Sequence, residues 1–516
     1  MAKGHVLNLA RRSHRHSQSI STLPGPPGPY VMIYDRLAEA VKQKLKRLEN
    51  PEDRFLKYNN PHPKDMIPPP PLSFPLTRVT TLPNGLRVAT ESAPNSPNMA
   101  TVGIWIDAGS RYEPDNTHGT ASFLDRIIFT GSKRRKKRQL EQIENIGGEL
   151  FAETFREKTS YYATVMGNHV PLAFDILSDI LQNPRFTTKR IHIVRNEILK
   201  EFMNQDNHKV LAQTEELIFD QLHATAFQHS PLGRTISGPA KNISLITEED
   251  LQNYISTHYT APRMVIVASG AVKHEDIVEQ VQSKFIKFSE GLTTSELAAE
   301  EPAIFTGSEV RIIDDSVPLA QFAVAFKGAS WTDPDSTALM VMRTILGSYN
   351  KRSVSSGGGK HKGSMLVQRI AINDIAESMT AFNYNYKDTG LFGVHAVAKP
   401  DCLDDLAYAI MYEVTQLCYR ASEDDVVRAR NQLKFSLLTE GTISVAQDIG
   451  HQLLAYGRRI PYAELFARID AVDSSTIKRV ACRFIKDKDI AIAAVGPVQG
   501  LPDYNYFARR TYWNRC

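Results

Sequence analysis

Cysteine is scarce in this chain: four residues in 516, at 402, 418, 482 and 516, with no C-x-x-C and no zinc-ribbon spacing among them. That excludes a disulfide scaffold and a cysteine-held structural metal, and leaves reduced thiols that carry no functional signal. Long apolar runs are also missing. No stretch approaches the roughly 18 residues that a membrane span needs, so any membrane link would come through a partner. A basic domain is missing too, although the formal net charge is +4. Lys3, Arg11, Arg12 and Arg15 supply a charge of +4 before the first acid, Asp35, which leaves the remainder near zero. A nucleic-acid footprint, whose mark is a strongly basic domain, is therefore not expected.

What is present divides the chain. Residues 1–30 combine arginine, serine and histidine without an acid, the composition of a mitochondrial transit peptide. In 31–75, "YDRLAEAVKQKLKRLEN" spaces Leu37, Val41, Leu45 and Leu48 as one amphipathic helix, and a proline-rich stretch after it favours an extended linker. The folded body is expected from Leu76.

That body repeats itself. "ATVGIWIDAGSRYEPD" starts at Ala100 and "AQFAVAFKGASWTDPD" at Ala320, pairing Ser110 with Ser330, Pro114 with Pro334 and Asp115 with Asp335. Each copy is an alternating strand, a turn, and a helix ending in Gly-Ser. The copies also close alike, with "MVIVASGAV" at 264–272 and "IAIAAVGPV" at 490–498. The expected fold is a duplicated α+β architecture, with halves at 76–288 and 304–516 joined by a linker at 289–303. The surface between duplicated halves is the default place for function.

One helix carries the chemistry. "GTASFLDRIIFTGS" (119–132) presents Phe123, Leu124, Ile127 and Ile128 at helical spacing and sets Ser122, Asp125 and Arg126 on the remaining face. An H-x-x-E-H helix places two imidazoles on one face, where they hold zinc while the glutamate serves as base towards the metal-bound water. The segment is similar to the active-site helix of the inverzincin, or pitrilysin-type, metallopeptidases. The likeness extends over residues 30–516 through "RVTTLPNGLRVATES", "IENIGGEL", "DILSDILQNPRF", "LHATAFQHSPLGRTISGP" and "NYKDTGLFGV". Within that family the chain resembles the branch of mitochondrial processing-peptidase beta subunits and complex III core 1 subunits.

The resemblance implies two homologous halves, zinc in active members and cleavage of mitochondrial presequences. It also implies an alpha-type processing-peptidase or core 2 partner, and a place in the matrix or on the matrix side of the inner membrane through complex III. It aligns Ser122 with the first histidine, Asp125 with the base, Arg126 with the second histidine and Glu201 in "VRNEILKEF" with the third ligand. Val194 stands where an acid usually opens that segment. Only Glu201 is retained. Ser122 is a poor zinc ligand, and Asp125 is one methylene short, a misplacement of about 1 Å that can cost about 100-fold. Arg126 keeps its charge at any working pH where a dication would bind. No zinc or other cofactor is expected. Arg126 is instead expected to pair with Glu201, whose carboxylate would otherwise face a partly enclosed cleft.

The expected function is thus a non-catalytic structural subunit. The alternatives are a zinc endopeptidase that removes presequences and a decoy that binds presequences without cutting them. Other signals are weaker. His118 reads as a surface histidine before the helix, and His223 belongs to no cluster. "KRRKKR" (133–138) reads as a solvated loop or helix start that would repel basic presequences. "SSGGGKHKGS" (355–364) lacks the phosphate-loop spacing. The Lys387-Asp388 turn reads as strand packing, and the aromatic tail as packing against the second half or as a partner anchor.

Overall fold

The computed structural model describes residues 75–92, 98–205, 215–288, 302–354 and 363–512. The expected transit peptide, the N-terminal helix with its linker, most of the 289–303 connection and most of the glycine-rich stretch lie outside these residues.

The body is built on two mixed sheets. The first runs β1 (Thr77–Thr81), β2 (Arg87–Ser92), β6 (Met264–Gly270), β3 (Met99–Ile106), β5 (Thr159–Met166), β4 (Glu149–Thr154). The second runs β7 (Ser308–Ile313), β12 (Ile490–Gly496), β8 (Ala320–Gly328), β11 (Gly390–Ala398), β10 (Ser378–Asn385), β9 (Ser348–Asn350). The repeat is borne out in five strands of each sheet, β2, β6, β3, β5 and β4 against β7, β12, β8, β11 and β10. In each sheet the last strand of the half lies between a parallel neighbour and the strand of the repeated block: β6 between β2 and β3, β12 between β7 and β8. The copies differ at their edges. Gly347-Ser348 leads into β9, which extends the second sheet, whereas Gly131 and Ser132 form only isolated bridges.

The helices used below are α1 (Thr120–Ile128), α2 (Val170–Gln182), α3 (Thr188–Gln205), α4 (Glu215–Ala226) and α5 (Thr442–Tyr456). Most cover one face of their own sheet, but α4 and α5 are exchanged. Alternation along the strands sorts the two faces. Met264, Ile266 and Ala268 of β6 join the core of the first half, while Val265 and Val267 meet Ala446, Ile449 and Leu453 of α5. Phe322, Val324 and Phe326 of β8 face the second half's core, while Ala323 and Ala325 meet Ile218 and Leu222 of α4. Both faces are covered, which explains why every residue of β6 and β12 is buried. The approach of α5 is close. A Cβ on Gly450 would lie 2.4 Å from Trp105 Cγ, nearer than any carbon contact allows.

Candidate functional site

The helix that carries the candidate residues, α1, starts where Gly119 adopts φ 104, a left-handed conformation that suits glycine. A side chain there would also meet Ile243 Cδ1 and the Ser237 carbonyl, each at 2.8 Å. Glu113 caps the start: its Oε2 accepts the Gly119 N–H at 2.8 Å and its Oε1 the Ala121 N–H at 2.5 Å. A buried carboxylate at a helix N-terminus satisfies unpaired backbone donors and suits the dipole. This residue escapes sequence reasoning because it lies outside the helix; an acid shortly before a helix with no Ser, Thr, Asn or Asp cap was the available signal. His118 is buried as well, with Nδ1 2.9 Å from Glu113 Oε2. The expected surface histidine is therefore an interior one.

Phe123, Leu124, Ile127 and Ile128 are buried, which leaves Ser122 partly exposed and Arg126 exposed. Arg126 Nη1 donates to Glu201 Oε1 of α3 at 2.6 Å. The pair expected from sequence is present, but its setting differs. The two side chains are 44% and 49% exposed, so the pair lies at an open surface rather than in an enclosed cleft. Val194, one of the α3 residues that face inward, is in the core of the first half.

Asp125 is held by a different element. Its Oδ1 accepts from Tyr161 of β5 at 3.2 Å, and Tyr161 in turn shares a 2.8 Å hydrogen bond with Tyr259. Burial pushes its carboxyl up to about 7, against the lowering effect of Thr154 and Tyr161 hydrogen bonds. The three positions thus diverge: a neutral hydroxyl, a carboxylate bound to tyrosine, and a guanidinium that occupies Glu201. These residues do not fit a zinc ion. Among the described residues, no group of three or more His, Cys, Asp and Glu side chains is arranged to hold a metal, and no helix is long and apolar enough to cross a membrane.

The junction between the halves was missed. The β10–β11 turn, read as strand packing, sends two side chains into the first half. Asp388 takes Arg111 on both oxygens, at 2.8 and 2.7 Å, and Arg111 also reaches Glu157 at 2.6 Å. Lys387 Nζ reaches Asp107 at 2.8 Å. His223 of α4 joins the halves too, with Nε2 2.6 Å from the Tyr386 hydroxyl; burial holds it well below the usual histidine range.

The basic run is an exposed turn that leads into a short helix at Lys137–Leu140, and its backbone is held in place. Ser132 Oγ accepts the Arg134 and Arg135 N–H groups at 3.0 and 2.8 Å and donates to Asp179 at 2.5 Å. Arg135 is tied to Asp175. In the tail, Phe507 is fully buried and Arg510 lies over Tyr408 and Tyr506, at 4.5 and 4.3 Å, so this segment packs against the second half.

Comparison with known proteins places this geometry. Residues 87–240 match the family described as "Insulinase (Peptidase family M16)", and residues 245–433 match "Peptidase M16 inactive domain". The chain belongs to peptidase family M16. It is 62% identical to the probable mitochondrial-processing peptidase subunit beta of Arabidopsis thaliana, over 100% of each chain. Identity to the mitochondrial-processing peptidase subunit beta of Bos taurus is 43%, over 86% of this M16 chain and 89% of that one. A solved structure titled "Complex III2 from Candida albicans, Inz-5 bound" contains a chain with a TM-score of 0.73 and 25% identity, over 84% of this chain and 99% of that one. The zinc-helix positions fall in the first of the two family regions.

Proposed function

We propose that this mitochondrial M16 chain is a non-catalytic structural subunit that pairs with an alpha-type processing-peptidase or core 2 subunit, within or beside complex III. The observation that carries the reading is the Arg126–Glu201 pair at 2.6 Å. It sets a permanent cation against the one carboxylate that the family resemblance retains, and Asp125 is turned towards Tyr161. A zinc ion would need that carboxylate and would meet the guanidinium's charge instead. The pairing reading draws support from relatives named as beta subunits and from the structural neighbour in a complex III structure.

The deciding experiment purifies the chain with an alpha-type partner and measures zinc stoichiometry together with presequence cleavage. One zinc per chain and turnover would replace this reading with the peptidase. Metal-free complexes that still bind presequences would replace it with the decoy. Reconstruction sharpens the test. Ser122→His alone is expected to bind no zinc, because Arg126 stays in place. The triple change Ser122→His, Asp125→Glu and Arg126→His is expected to recover stoichiometric zinc with Glu201 as third ligand. Stoichiometric zinc in the single variant would show that Arg126 does not exclude the ion.

A further inference from the structure

The turn after α1 is a cationic ridge flanked by two clefts, and the geometry points to a docking surface for an acidic segment of a partner polypeptide. The ridge is built, not loose. Its backbone is pinned through Ser132 to Asp179, through the Lys133 N–H to the Asn183 carbonyl at 2.8 Å, and through Arg135 to Asp175. With Arg135 committed inward, Lys133, Arg134 and Lys136 stand exposed, Arg134 at 71%. Prepaid backbone order of this kind lowers the cost of binding.

The clefts carry the same sign. One, of about 470 Å³, is lined by Lys133 and Arg185, with Glu248 as its acid. The other, of about 510 Å³, is lined by Arg134, Arg135, Lys284 and Lys287, with Asp175 and Asp179 as its acids. Both of those aspartates already face Arg135, and Asp179 also takes Ser132 and lies 3.9 Å from the largely exposed Arg134. Together the two linings hold six cations against three acids.

The shape and chemistry select the partner. A single-stranded nucleic acid would use exposed rings for stacking, and Phe186, the aromatic side chain in these linings, is 5% exposed. A flat bilayer would touch the ridge and leave the clefts empty. Carboxylates on an extended segment can cross the ridge and reach the cations of both clefts. Fields of this sign steer association and select against basic ligands. The inference does not depend on the zinc argument: it concerns the turn after α1, and would stand in an active enzyme as well.

The test uses the full chain and a fluorescent oligoglutamate peptide, read by anisotropy at about 50 and 200 mM salt, across which exposed charges are increasingly screened. The expected result is saturable binding at low salt that weakens at least about tenfold at the higher salt. The variant Lys133→Glu, Arg134→Glu, Lys136→Glu should weaken low-salt binding by at least about tenfold. A second variant with glutamine at the same three positions should fall between it and the parent. If the charge-reversed protein fails to fold, the glutamine variant and the salt series decide. The inference is overturned by binding equal in parent and variants, by no binding at all, or by tighter binding of single-stranded RNA or cardiolipin vesicles than of the peptide.

Discussion

Two arginine–carboxylate contacts of the same 2.6 Å length occupy opposite circumstances in this molecule. Arg126 and Glu201, on α1 and α3, are 44% and 49% exposed, whereas Arg111 and Glu157, at the junction of the halves, are 2% and 11% exposed. Water screens the first pair and offers each partner a nearly equal alternative, so its net worth is small. The second has no such alternative: without Arg111, Glu157 is left as a buried charge. Equal geometry thus conceals unequal dependence. The α1 helix can lose its pair without threatening the fold, while the junction cannot lose an arginine.

Four measurements break or sharpen that contrast. The largest effect is expected from Arg111→Ala, which strands Glu157 and Asp388 and should cost about 3–5 kcal/mol in urea unfolding; a loss below about 1 kcal/mol would mean the junction is no more demanding than the surface. Next comes Gly450→Ala in α5. Helix propensity alone favours alanine by about 1 kcal/mol. The new Cβ would press on Trp105, so a net loss of about 1–3 kcal/mol is expected from overpacking. A gain in melting temperature would show that the exchanged helix is loosely seated.

The third measurement concerns pH. Asp125 has its folded-state carboxyl raised to about 7 by burial, above the ordinary 3.8. Between those values the folded chain holds more protons than the unfolded one, so this group's contribution to stability falls as pH rises from about 4 to 7. Asp125→Asn removes the titration. Its stability profile over that window should decline less steeply than the parent's, and parallel profiles would refute the raised value. The smallest effect belongs to the surface pair. A double-mutant cycle of Arg126→Ala and Glu201→Ala should return a coupling of about 0–1 kcal/mol that shrinks with added salt. A coupling of about 3 kcal/mol would place this pair in the class of the junction.

The amino-acid sequence by itself determined the duplication, because period-two alternation and matched turn residues are local signals that survive in each copy. It also determined the pairing of Arg126 with Glu201, because a helix fixes which residues share a face and the resemblance supplies the second helix. What only the tertiary structure decided are contacts whose partners are far apart in the chain. Asp388 looks like one residue of a hairpin turn until Arg111, 277 positions away, meets it. Alanines at 323, 325, 491 and 493 look like ordinary strand residues until α4 packs on them. His118 and Glu113 differ from surface residues only in how the chain buries them. The openness of the Arg126–Glu201 pair belongs to the same class. Solvent exposure is a property of everything packed around a residue, and no local spacing encodes it.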